Sequence, residues 1–184
     1  MNIYIDLGAH TGKTVETWMV QHPGDVVYAF EPNPACLRNP RWVALREHYQ
    51  QLTIMPVAAW TEETSLHFYR DSMHLASQGG TVMLGKTTGE VSYDAPIQVR
   101  AIDFSAWLES VAGGPGRVTV KMDIEGAEFN VVEKMIGDGT IGLVDRLLIE
   151  FHAEKFKDNG LAIRQRAIMR ALEAARVEVE VADH

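Results

Sequence analysis

Four ionisable side chains fall in pairs inside two otherwise apolar stretches. Lys121 and Asp123 are two residues apart in Arg117-Val-Thr-Val-Lys-Met-Asp123, and Glu150 and His152 are two apart in Val144-Asp-Arg-Leu-Leu-Ile-Glu-Phe-His152. Residues two apart in a strand share a face, so each pair presents two polar groups on one side while Leu147, Ile149 and Phe151 point to the other. Charges in central strands are costly unless paired. Gathered at the ends of neighbouring strands, these four form a candidate reaction centre for proton transfer; the alternative is a structural ion-pair staple between two strands. His152, whose type titrates near neutrality, is the first choice for general base. Asp123 or Glu150 could take that role or orient His152, and Lys121 would hold the carboxylates or stabilise a developing alkoxide. Asp123, Glu150 and His152 could also ligate a divalent ion, but the preferred reading needs no metal.

A second constellation opens the chain. The apolar run Asn2-Ile-Tyr-Ile-Asp6-Leu7 leads into Gly8-Ala-His10-Thr-Gly12-Lys-Thr14 and then a helical pattern. A buried strand, a glycine turn and a helix N-terminus make a nucleotide-type site. Only Ala9, His10 and Thr11 separate Gly8 from Gly12, one residue short of a phosphate-wrapping P-loop. His10 also occupies the place where a dinucleotide fingerprint needs its middle glycine. The remaining pattern, D-x-G-x-x-x-G on Asp6, Gly8 and Gly12, suits a cofactor without phosphate, S-adenosylmethionine. Glu31 lies 19 residues past Gly12, where an acidic side chain accepts hydrogen bonds from a ribose diol. Pro32 holds it extended at a strand's carboxyl end. Asp6 and Glu31 each retain a plainer reading, as a turn brace and a solvated strand end.

The elements that must position these residues follow from periodicity. Strands are expected at 2–7, 26–31, 52–58, 117–123 and 144–152, the third at or near an edge because of Pro56. Helices are expected after Gly12, over 34–50 with an early break at Pro40, after Glu128 through Ile136, and over 161–175. Asp103 reads as the N-cap of a short helix, 104–111. Two alternating segments, 65–70 and 97–102, flank a long loop rich in Gly, Ser and Thr that reads as a lid or binding loop. Val177-Glu-Val-Glu-Val181 closes the pattern as an edge strand with one polar face. Strands alternating with helices imply α/β architecture, a doubly wound, mostly parallel sheet with an antiparallel edge strand, whose ligands lie at the carboxyl ends of the strands. Glu125 and Glu128 read as acids favoured at a helix N-terminus.

With 184 residues, 46% hydrophobic and 23% charged, the sequence describes one globular domain, residues 1–184. A net charge of −8 argues against a nucleic-acid partner. The lone Cys36 precludes an internal disulfide, and no signal segment or membrane span is visible. These features fit a cytoplasmic location.

Ile5-Asp6-Leu7-Gly8-Ala9-His10-Thr11-Gly12, Ala29-Phe30-Glu31-Pro32-Asn33-Pro34 and Val120-Lys121-Met122-Asp123-Ile124-Glu125-Gly126-Ala127-Glu128, with Leu148-Ile149-Glu150-Phe151-His152, resemble the FkbM-type methyltransferase family in order and spacing. The resemblance implies a Rossmann-like class I methyltransferase fold, S-adenosylmethionine as cofactor, and a small-molecule or glycan hydroxyl as acceptor. It implies that Asp6, Gly8 and Gly12 cradle the methionine end, that Glu31 holds the ribose with His10, Asn33 and Ala58 also on the cofactor side, and that Asp123 lies near methyl transfer. The family more often has Asn where this chain has His10. The rival readings are an NAD-dependent oxidoreductase, a non-catalytic cofactor-binding module and, last, a phosphotransferase.

Overall fold

The computed structural model describes residues 1–157 and 160–182. Its elements run β1 (Ile3–Leu7), α1 (Lys13–Gln21), β2 (Val26–Phe30), α2 (Pro34–Leu37), α3 (Pro40–His48), β3 (Leu52–Met55), β4 (Ala58–Trp60), β5 (Thr64–Asp71), β6 (Val91–Asp103), α4 (Phe104–Val111), β7 (Val118–Met122), α5 (Glu128–Asp138), β8 (Arg146–Ile149), α6 (Gly160–Ala174) and β9 (Glu178–Val181). Local chemistry sets many boundaries. Asn33 and Asn39 cap α2 and α3, each followed by proline at the first helical position. Asp103 caps α4 by accepting the Ala106 N–H.

Six strands form one sheet in the order β3-β2-β1-β7-β8-β9, and every pairing in it is parallel. The order reverses between β1 and β7, the switch point at which such sheets open a ligand crevice. The expected edge strand is present as β9, but it runs parallel to β8. The helix α6 carries the chain back across the sheet before β9 begins, and a helical crossover delivers a parallel strand. Antiparallel pairing occurs instead in a separate three-stranded sheet, β4-β6-β5, between β5 and β6. The expected strand at 52–58 is likewise divided. It stops before Pro56, which has no N–H to donate, and Ala58 belongs to β4 in the second sheet.

Side chains alternate across the main sheet. Ile5, Leu7, Val120, Met122, Leu147 and Ile149 pack with Phe104, Leu108, Phe129, Met135 and Leu172 of α4, α5 and α6. On the opposite face Tyr4, Val27 and Ala29 pack with Val15 and Met19 of α1 and Trp42 and Leu45 of α3. Two covered faces account for the near-continuous apolar runs of β1 and β2. Asp6 and Lys121 are register partners across β1 and β7, so both project to the α1 side. Among the described residues, no helix is long and apolar enough to cross a membrane.

Candidate functional site

Four residues sit one step beyond the last residue of a strand, and the neighbouring strand fixes each. The backbone N–H of Gly8 donates to Phe30, that of Glu31 to Met55, that of Asp123 to Leu7 and that of Glu150 to Met122, all at 3.0–3.1 Å. The sheet's hydrogen-bond ladder therefore continues past the strands and lines up the glycine turn and three carboxylates along one edge. A cavity of about 520 Å³ opens over this edge, within the range of small-molecule sites.

Close approach of backbone explains the glycine turn. Gly8 has φ +86°, and a Cβ there would lie 1.9 Å from the carbonyl oxygen of Asp123. Gly12 has φ +81°, and a Cβ there would lie 3.1 Å from the ring of Trp42. That indole also donates to the His10 carbonyl at 3.3 Å, and Arg41 donates to the Thr11 carbonyl at 3.2 Å. Helix α3 thus braces the turn from behind.

At one end of the cavity Glu31 is 5% exposed. One of its oxygens accepts the His10 N–H and the other the Asn33 N–H, both at 2.7 Å. Burial pushes its carboxyl up to about 7, against the pull of those two N–H groups. Each carboxylate oxygen has a second lone pair, so Glu31 can accept two further donors. Over it passes the 72–90 loop. The Asn33 amide donates to the Leu75 carbonyl and the His10 Nε2–H to the Ala76 carbonyl, both at 2.8 Å.

At the other end the charged cluster surrounds His152, which is fully buried. Its Nδ1–H donates to Glu128 Oε1 at 2.7 Å and its Nε2–H to Glu150 Oε1 at 3.1 Å. Glu125 and Asp123 oxygens stand 3.5 and 3.7 Å from Nε2. Carboxylates only accept, so both ring nitrogens carry protons. Burial alone would lower the imidazole, but the Glu128 hydrogen bond and the charges of Glu128 and Glu125 outweigh it and hold His152 above its ordinary value. Glu128 is also bound by the His152 backbone N–H and, through its second oxygen, by the Gly126 N–H. Glu125, in a left-handed conformation at φ 54°, pairs with Lys86 at 2.7 Å and Lys155 at 3.5 Å. Burial would raise its carboxyl; Lys86 and His152, joined by Lys155, bring it below the ordinary range.

The structure divides the expected site residues between two walls. Gly8, His10, Glu31, Asn33, Ala58, Asp123 and Glu150 line the large cavity. Gly12 lies behind them against Trp42, and Asp6 is fully buried beneath the turn with Lys121 at 3.2 Å. Lys121 opens instead on a smaller cavity of about 220 Å³ on the α1 side, whose wall also includes Asp123 and Glu150. Burial would lower Lys121, but Asp6 and Asp123 overcome this and keep it charged. His152 forms the floor under the carboxylates. Four participants lay outside the expectation: Glu125 and Glu128, read only as helix-terminal acids, and Lys86 and Lys155, which pair with Glu125. The Glu125-Gly126 step, a turn needing positive φ, was the available signal for Glu125; the lysines sit in aperiodic segments and gave none.

Asp123, Glu125 and His152 bring one ligand-type atom each within 4.8 Å of one another, a spacing that could surround a divalent ion. Here the same carboxylates face Lys121, Lys86, Lys155 and the protonated imidazole. No curated protein and no solved structure matches the chain. A model of the FkbM methyltransferase domain matches residues 6–175, the stretch that holds the glycine turn, Glu31, the 72–90 loop and the charged cluster, and the chain therefore belongs to the FkbM methyltransferase family.

Proposed function

We propose that the chain is an S-adenosylmethionine-dependent O-methyltransferase that acts on a hydroxyl of a sugar or natural-product acceptor. The observation that carries this reading is the charge of the cavity wall. Among the described residues, Glu31, Asp123, Glu125 and Glu150 line it against the cations Lys86 and Lys155, and both lysines are already paired with Glu125. Such a wall repels a pyrophosphate or a triphosphate and favours a ligand bearing a sulfonium and an ammonium. The backbone of Gly8 lines the cavity, and Glu31 retains lone pairs for a ribose diol. The residues present therefore fit S-adenosylmethionine better than NAD or ATP.

The cofactor supplies an electrophilic methyl group, and what remains for the protein is alignment and one proton transfer. Asp123 is suited to take the acceptor's hydroxyl proton. Its carboxyl is one-third exposed, and its charged neighbours stay at 3.5 Å or more. Proton removal of this kind contributes about 10²–10⁴-fold to a rate. His152, protonated on both nitrogens, has no lone pair with which to accept that proton. It instead holds Glu150 in place and stands 3.7 Å from Asp123, with Lys121 at 3.5 Å from the other oxygen of that carboxyl. The acceptor end of the cavity is ion-paired rather than basic, which suits a neutral, hydroxyl-bearing molecule.

Calorimetry with S-adenosylmethionine, NAD and ATP tests the reading, with Glu31→Gln as the control. The expected result is binding of S-adenosylmethionine alone, weakened at least tenfold in the variant, on the order of one lost charge-assisted hydrogen bond. Binding of NAD or ATP in its place, or of none of the three, would refute it.

A further inference from the structure

We propose that Ser77, on the loop above the cavity, is a ligand contact whose hydroxyl hydrogen-bonds the ribose end of the bound adenosyl group. The inference rests on the cofactor reading above and adds to it a residue from the lid. Ser77 lines the cavity. Its Oγ is buried and has no hydrogen-bond partner among the described residues, while its backbone N–H is held by the His74 carbonyl at 2.8 Å. Buried hydroxyls are nearly always paired because an unpaired one destabilises the fold. An orphaned hydroxyl on a residue of the cavity wall is explained if the ligand completes it.

The hydroxyl is fixed in place from both sides. Upstream, Asn33 and His10 hold the carbonyls of Leu75 and Ala76. Those two residues themselves hang by their backbone N–H groups from the two oxygens of Glu31. The carboxylate proposed to take the ribose diol thus also positions the latches that carry Ser77, which puts Ser77 on the ribose side of the cavity. Downstream, the Gly79 carbonyl accepts from the Lys86 ammonium at 2.6 Å, and Lys86 is anchored on Glu125 at 2.7 Å. A Cβ on Gly79 would lie 2.9 Å from that ammonium and one on Gly89 3.4 Å, so the two glycines let the loop wrap it. Ser77 and Gln78 span two latches and form a preorganised strap rather than a loose tip. The departure at His10 from the residue more usual in the family gains a physical role here: its imidazole reaches the strap.

The test compares wild type, Ser77→Ala and, as a control on the same loop, Ser72→Ala. Calorimetry gives the affinity for S-adenosylhomocysteine, and thermal unfolding of the free protein gives the midpoint. In Ser77→Ala the affinity is expected to fall roughly threefold to tenfold, the range of one neutral hydrogen bond. Its midpoint is expected to hold or rise, because the variant removes an unpaired buried group. Ser72→Ala changes neither. Equal affinity of Ser77→Ala and wild type would overturn the proposal while leaving the cofactor reading intact. Weaker binding together with a lowered midpoint would also overturn it, by making the hydroxyl a support of the loop. Absence of binding in wild type would remove the cofactor reading, and this proposal with it.

Discussion

Replacing Glu31 by Gln separates the two demands placed on that carboxylate. Its carboxyl moves from 4.5 to about 7 on folding, chiefly through burial. A carboxyl whose pKa rises on folding holds its proton more tightly in the native state. Its stabilising contribution is therefore complete below about pH 4.5 and is lost as pH rises to about 7. At about 1.36 kcal/mol per unit, a displacement of about 2.5 units, from 4.5 to about 7, corresponds to about 3 kcal/mol across that window. Other carboxylates titrate at the acid end, so the informative quantity is the difference between wild type and variant. Glutamine cannot ionise and removes this contribution, while its single carbonyl oxygen satisfies only one of the N–H groups of His10 and Asn33. The variant should start less stable than wild type near pH 5 and approach or overtake it by pH 8.

Urea unfolding at half-unit steps from pH 5 to 8 measures that difference directly. A second readout follows from the same equilibrium. If the ligand's ribose binds the carboxylate form, wild-type affinity should fall toward tenfold per unit of pH as pH drops below about 7, and the variant's weak affinity should be flat. A stability difference constant to within about 0.5 kcal/mol over the range, small against the roughly 1.36 kcal/mol expected of each displaced unit, would refute the argument. It would mean that the two N–H donors stabilise the carboxylate as much as burial penalises it.

Further expectations concern the turn and the cluster. Gly8→Ala should abolish ligand binding in calorimetry while far-ultraviolet circular dichroism stays native. The left-handed conformation costs a non-glycine residue about 1–2 kcal/mol, and the added carbon would lie 1.9 Å from the Asp123 carbonyl oxygen and force that backbone away. Glu128→Gln should destabilise the protein by about 3–5 kcal/mol near pH 6 in denaturant unfolding, the range for breaking a buried charged pair, since it turns an amide N–H₂ toward either Gly126 N–H or His152. The His152 contribution is complete below its unfolded value and is lost as pH rises through its raised native value, so the penalty of Glu128→Gln should shrink toward alkaline pH; a penalty independent of pH would refute the pairing.

Much of the fold was legible because it rests on local rules. Pro32 after Glu31 and the glycines around His10 act through their own backbone, the capping Asp103 acts through a side-chain bond to the Ala106 N–H three residues on, and each sits where its type and spacing put it. The direction of β9 was not legible, since alternating Val and Glu residues specify two faces but carry no sign of which way the strand runs. The loop over the cavity could be recognised as a loop, but its latches depend on backbone carbonyls of Leu75, Ala76 and Gly79, whose direction no side-chain pattern encodes.

The charged cluster shows the same limit in its chemistry. Lys121 meets Asp123 and Glu150 meets His152, although β8 ends at Ile149 and Glu150 and His152 lie beyond the strand expected to carry them; what holds His152 above its ordinary value is Glu128, which reads from sequence as an acid at a helix N-terminus. Glu128 is in fact that too: one oxygen holds the Gly126 N–H beside the start of α5 while the other holds the imidazole. A side chain with two oxygens can satisfy a local rule and a long-range one at once, and only the local one leaves a trace in spacing. The consequence falls on Asp123. Glu128 holds His152 above its ordinary value and Asp6 does the same for Lys121, and Asp123 stands between the imidazole and the ammonium, at the point where the glycine turn meets the cavity. In the mechanism proposed above, the histidine that type alone singles out as the base is the group that supports a carboxylate in that task.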